Sequence, residues 1–153
     1  MSELHSVAAQ MVAKGKGILA ADESIPTCTK RFESINTEST DQNRNFYRNM
    51  LFTSDNIAEY INGIILFDET FHQKELKTDT LFPQYLESKN ILPGIKVDGG
   101  LQSFNNHPEE KVTVGLDRLD KKLSRYYSLG ARFAKWRAVI TLGDGIPSDG
   151  CIQ

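Results

Sequence analysis

Only two cysteines, Cys28 and Cys151, occur in the 153 residues. Two thiols set this far apart make neither a disulfide framework nor a metal cluster. No apolar run approaches the roughly 20 residues that span a bilayer. The opening Met1-Ser2-Glu3-Leu4-His5 has neither the basic nor the apolar region of a secretory leader. Positive charge is not in excess: the net charge is −2 with 25% charged residues, which argues against a broad basic face for nucleic acid. No internal repeat, low-complexity segment, interdomain linker or Gly-x-Gly-x-x-Gly fingerprint is present. Gly15-Lys16-Gly17 lacks the Gly-Lys-Ser/Thr of a phosphate loop and reads as a helix stop. What remains is the expectation of one soluble, cytoplasmic domain over residues 1–153, with no membrane or nucleic-acid partner and no metal site.

The pattern that is present alternates strands and helices. Leu4, Val7, Ala8, Met11 and Val12 recur at helical spacing over 3–13. Residues 17–21 form a short apolar run that reads as a buried strand and delivers Asp22, Glu23 and Ser24 at its end. A helix is expected over 28–35. Another is capped by Thr40 or Asp41 and runs to Leu51, with Arg44 and Arg48 in solvent. Residues 62–67 read as the next buried strand, followed by Asp68 and Glu69. The stretch 70–81 is polar and expected to be irregular. A short helix over 82–89 starts near Pro83, and a third strand covers 93–98. Residues 99–114 read as a long loop. An amphipathic helix over 116–127 carries Leu116, Leu119, Leu123 and Tyr127 on one stripe.

The fourth strand, 132–140, is the informative one. Alternation puts Phe133, Lys135 and Arg137 on one face and Ala134, Trp136 and Ala138 on the other. On the third strand Lys96 and Asp98 share a face. Cations on a buried strand are costly unless something negative meets them. Helical crossovers between strands imply a parallel sheet, and active sites of such sheets sit at the strands' C-terminal ends. If Asp22, Lys96, Lys135 and Arg137 meet there, a carboxylate and a lysine bias each other's ionisation. Lys96 and Arg137, with the hydroxyls of Ser24 and Thr27, then suit phosphate. A buried ion-pair network that only holds the strands in register remains an open alternative on spacing alone. Four strands are about half of a (β/α)8 barrel, which needs about 250 residues. Pro147-Ser148-Asp149 looks like the start of a further helix that the sequence ends too soon to build.

Four blocks carry a resemblance. Gly-Lys-Gly-Ile-Leu-Ala-Ala-Asp-Glu-Ser (15–24), Gly-Ile-Ile-Leu-Phe-Asp-Glu-Thr (63–70), Gly-Ile-Lys-Val-Asp (94–98) and Phe-Ala-Lys-Trp-Arg (133–137) occur in this order. Together they resemble class I fructose-1,6-bisphosphate aldolase, the metal-independent, Schiff-base type. The resemblance implies an α/β fold, a parallel TIM barrel of which this chain supplies the N-terminal half. It implies reversible cleavage of fructose 1,6-bisphosphate to dihydroxyacetone phosphate and glyceraldehyde 3-phosphate, with no cofactor and, for the full-length family, commonly a homotetramer.

Residue by residue, Asp22 matches the aspartate that meets the C4 hydroxyl and assists proton transfer. Lys135 matches the lysine beside the Schiff-base centre. Lys96, Arg137, Ser24 and Thr27 match positions that bind the C6 phosphate. Arg31 and Arg44 match basic positions associated with substrate, and Glu23 and Asp98 look like supports that orient the cations. Thr27 replaces a serine common in animal members. The family's Schiff-base lysine, its acidic general acid/base pair and its C1-phosphate loop lie on later strands. The isolated chain is therefore expected to be inactive. The alternative is a half-barrel binding or assembly module without catalysis.

Overall fold

A computed structural model describes residues 2–153. Helix α1 (Glu3–Met11) is capped by Ser2, whose hydroxyl accepts from the His5 amide. It buries none of its residues, and Leu4 and Val12 face solvent. Its apolar residues recur at helical spacing, as expected from the sequence, but they are not enclosed. Instead polar ties hold it across the strands' N-terminal ends: the Asn62 amide donates to the Gln10 carbonyl at 2.6 Å, and Gln10 donates to the Asn90 carbonyl at 3.2 Å.

Strand β1 (Gly17–Ala21) follows, then α2 (Ile25–Glu33), which starts earlier than expected because Pro26 fits the first turn. Helix α3 (Asp41–Phe52) is capped by Thr40, as its sequence predicted; the hydroxyl accepts from the Asn43 amide at 3.1 Å. Its orientation is the reverse of expectation. Arg44 and Arg48 are buried while Phe46 and Met50 face solvent. The physical reason is ionic: Glu69 receives Arg44 and Glu23 receives Arg48.

After the single turn α4 (Ile57–Tyr60) come β2 (Ile61–Leu66), α5 (Asp68–Phe71), α6 (Phe82–Ser88) and β3 (Leu92–Lys96). The stretch expected to be irregular is ordered by buried Glu75, which accepts from the Lys77 and Thr78 amides and the Thr78 hydroxyl. The expected long loop is a hairpin, β4 (Leu101–Phe104) and β5 (His107–Thr113), turning at Asn105-Asn106. Asn106 adopts φ +65°, the left-handed conformation such tight hairpin turns require. Helix α7 (Leu119–Ser128) turns Tyr126 into the core and leaves Leu116 and Tyr127 exposed, so the expected stripe is displaced. Strand β6 pairs only over Phe133–Lys135, shorter than predicted. Ser148 opens a short helix, α8 (Asp149–Ile152), contrary to the expectation that this helix would not form.

The four strands are parallel and lie in the order β1-β2-β3-β6, each next to its predecessor in the chain of crossovers. One face of the sheet carries Ala21, Ile64, Leu66, Ile95 and Val97 into a core shared with Phe52, Phe71, Phe82, Leu86 and Tyr126 from the helices. Trp136 packs against that core, as alternation along the strand requires. The opposite face is concave. There the Phe133 ring lies over Gly63 and Gly94, and a Cβ at Gly94 would overlap it. Phe133, Lys135 and Arg137 therefore share the inner face, together with Lys96 and Asp22.

Candidate active site at the strands' C-terminal ends

Three of the four parallel strands end by handing charged side chains to the same mouth, and β2 contributes Phe67 there. Beyond β1 stand Asp22, Glu23 and Ser24; β3 ends in Lys96 with Asp98 two residues on; β6 ends in Lys135 with Arg137 two residues on. These residues, with Thr27 and Arg31 from α2, line one cavity of about 590 Å³. The structure brings together Asp22, Lys96, Lys135 and Arg137 with the Ser24 and Thr27 hydroxyls, and places Glu23, Arg31 and Asp98, named by the resemblance, in the same lining. Arg44 stands apart: it does not line this cavity. Its guanidinium spans the Glu69 carboxylate, Nε to Oε2 at 2.8 Å and Nη2 to Oε1 at 2.5 Å, and also donates to Ser39.

The mouth is built from paired charges. Lys135 Nζ lies 2.7 Å from Asp22 Oδ2, joining the first strand to the last. Lys96 Nζ lies 2.6 Å from Asp98 Oδ1, which also accepts from the Gly100 amide at 3.2 Å. Burial alone would raise the Asp98 carboxyl. The hydrogen bond and charge of Lys96, with the Gly100 and Arg137 amides, outweigh it and hold the group below the usual carboxylate range. Arg31 bonds Glu23 and reaches the Tyr47 hydroxyl at 3.1 Å. The Ser24 and Thr27 hydroxyls are 3.1 Å apart. Arg137 has no carboxylate within ion-pair distance among the described residues. Arg137 lines the same cavity as these two hydroxyls, and a cation without a counter-charge suits an anion.

Two supporting residues escaped the sequence reading. Arg48, only 2% exposed, sends Nη1 to Glu23 Oε2 at 2.7 Å and Nη2 to the Glu23 carbonyl at 2.9 Å. The Tyr47 hydroxyl bonds Glu23 Oε1 at 3.1 Å, and burial, followed by the Glu23 charge, pushes its pKa up, so the phenol stays protonated. Glu23 is thereby clamped from beneath while it holds Arg31 at the rim. The available signal was spacing: residues 44, 48 and 52 recur at four-residue intervals, so two arginines share a helix face with buried Phe52.

Comparison with known families settles the lineage. A family model described as "Glycolytic: Fructose-bisphosphate aldolase class-I" matches residues 3–153. The chain belongs to the class I fructose-bisphosphate aldolase family. It is 50% identical over all of its length to a probable class 1 aldolase of Xanthomonas campestris pv. campestris, covering 46% of that protein. It is 49% identical over 140 residues to fructose-bisphosphate aldolase 1 of Toxoplasma gondii, covering 92% of this chain and 38% of that one. A solved aldolase of Plasmodium falciparum, crystallised with TRAP and a small-molecule inhibitor, superposes with a TM-score of 0.92 at 45% identity. That match covers 98% of this chain and 44% of the other. The chain thus spans less than half the length of these aldolases. Relatives include one described as cytosolic, in Arabidopsis thaliana, and one as chloroplastic, in Chlamydomonas reinhardtii.

Proposed function

We propose that this chain supplies the first four strands of a (β/α)8 barrel whose whole cleaves fructose 1,6-bisphosphate by the Schiff-base route. The observation that carries the reading is the Asp22–Lys135 contact, 2.7 Å across the concave face, beside an arginine with no carboxylate partner. In this reading residues 1–153 are part of one barrel domain, not a unit of their own.

The chemistry follows from the charges. Lys96, Arg137, Ser24 and Thr27 hold the C6 phosphate, and Arg31 adds a cation at the rim. Asp22 sits at the C4 hydroxyl and takes its proton as the C3–C4 bond breaks. The bonding electrons move toward an iminium centre, whose lysine belongs to a later strand of the family. Lys135 stands beside that centre and, paired to Asp22, holds the carboxylate aimed. Glu23 and Asp98 orient Arg31 and Lys96. Arg44, committed to Glu69, is a structural cation in this reading. The assembled protein would be cytoplasmic and a homotetramer.

Two measurements test this. Calorimetric titration of the chain with fructose 1,6-bisphosphate should give binding that Lys96→Gln and Arg137→Gln each weaken about tenfold or more. Borohydride with substrate should not trap a covalent adduct on this chain, and should trap one on a full-length aldolase carrying the same residues. Substrate-dependent trapping on the 153-residue chain would refute the assignment of the Schiff-base lysine elsewhere.

A further inference from the structure

A second concavity opens on the outer, helical side of the sheet. It has a volume of about 490 Å³ and lies between the start of α5 and the first turns of α7. Its wall consists of Asp68, Tyr126 and four cations: Arg118, Lys121, Lys122 and Arg125. The inner end is already satisfied. The Tyr126 hydroxyl donates to Asp68, which also faces His72 at 3.7 Å. Lys122 donates to the Val97 carbonyl at 2.9 Å.

Arg118, Lys121 and Arg125 are different. None has a carboxylate within ion-pair distance among the described residues, although Asp117 and Asp120 are close in sequence. Four cations against the single carboxylate of Asp68 leave +3 in one concavity, in a chain whose net charge is −2. A spacing of four residues puts Lys121 and Arg125 on one side of α7, and Arg118 stands at its N-cap beside the same concavity. Their mutual repulsion is relieved by one multivalent anion more fully than by scattered monovalent ions. Guanidinium forks match the geometry of phosphate oxygens.

We propose that this concavity binds an oligophosphate, the diphosphate or triphosphate chain of an inorganic or nucleotide ligand, at a site separate from the mouth described above. The only ring in its wall is Tyr126, which is 4% exposed and offers no open face to a base. Recognition therefore rests on the phosphate chain. The site also adjoins the mouth without sharing a residue with it: Lys122 holds the carbonyl between Lys96 and Asp98.

The test separates the two sites. In the K96Q/R137Q background, which disables the mouth, the chain should still bind tripolyphosphate at low salt by calorimetry. Adding R118Q/K121Q/R125Q, all at exposed positions, should weaken that binding about tenfold or more. Pyrophosphate and ADP should bind that background about equally. Loss of binding in the K96Q/R137Q background, or its persistence after the three further changes, would overturn the site. ADP binding far more tightly than pyrophosphate would overturn recognition through the phosphate chain. Should K96Q/R137Q fail to fold, backbone-amide NMR of the unmodified chain decides: tripolyphosphate should shift the resonances of residues 118–125, and their standing still overturns the proposal. Failure of the barrel reading would leave this result untouched, because no mouth residue takes part.

Discussion

Lys135 on the last strand of the sheet closes on Asp22 at the end of the first, with 2.7 Å between ammonium and carboxylate. The two lie 113 positions apart in sequence, on strands with two others between them. Only a curved sheet brings such ends together over an inner face. The pair therefore reports the curvature of the sheet as well as the chemistry of the mouth.

Breaking that pair should cost stability as well as binding. Both side chains are partly shielded, so Lys135→Met should lower the urea-unfolding free energy by about 1–2 kcal/mol. Asp22→Asn should cost a similar amount, and the double variant less than the sum of the two. Additive losses in that double-mutant cycle would mean the contact contributes nothing in solution.

Arg48 is a stronger case, because it is almost wholly enclosed and its partner Glu23 is largely so. Arg48→Met should cost about 3–5 kcal/mol by leaving the Glu23 carboxylate without its clamp. A loss that size approaches the whole stability of a small domain. Arg48→Lys should rescue little, since an ammonium cannot serve the carboxylate and the carbonyl with one planar fork. Thermal melts of the two variants, read beside wild type, check both statements; a wild-type melt for Arg48→Lys would show that only charge matters there.

Beneath the mouth, the Phe133 ring rests on the backbone of Gly63 and Gly94. Gly94→Ala should destabilise by about 1–3 kcal/mol, because the added methyl and the ring claim the same space. Phe133→Ala in the same chain should remove most of that penalty. If Gly94→Ala melts as wild type does, the ring is free to move aside and the inner face is looser than its geometry implies.

How far the sequence reached can be judged from these same residues. Strand faces were legible because a period of two leaves no freedom: once Ile95 and Val97 were inward to the helices, Lys96 and Asp98 had to face the mouth. The convergence of Asp22 with Lys135 was legible only through strand order, which the alternating pattern supplied. Helix α3 was misread because hydropathy assigns arginine to solvent. The sequence alone does not say that Glu23 and Glu69 will meet Arg48 and Arg44 across tertiary contacts. The hairpin at 101–113 was misread because its turn, Asn105-Asn106, sits between strands of mostly polar residues with no apolar alternation to mark them. Arg44 was assigned to the mouth by resemblance, and its bidentate bond to Glu69 is invisible to spacing arguments.

Asp98 gives a dependence on pH whose sign is fixed. Its folded carboxyl lies below the usual range: burial pushes it up, and Lys96 with the Gly100 and Arg137 amides pulls it down further. In the unfolded chain the same group titrates near its ordinary value, about 3.9. Between those two values the unfolded chain binds more protons, so stability rises with pH there. The contribution is complete above the unfolded value and is lost as pH falls through the folded one. Asp98→Asn cannot titrate. The difference in urea midpoint between wild type and Asp98→Asn should therefore be widest near neutrality and close progressively below about pH 4. Glu75 and Glu110, also held below their ordinary range, are common to both proteins and cancel in the difference. A midpoint difference that stays constant from neutrality into acid would mean that Lys96 does not hold Asp98 ionised, and the ordering of the Lys96 side chain would need another cause.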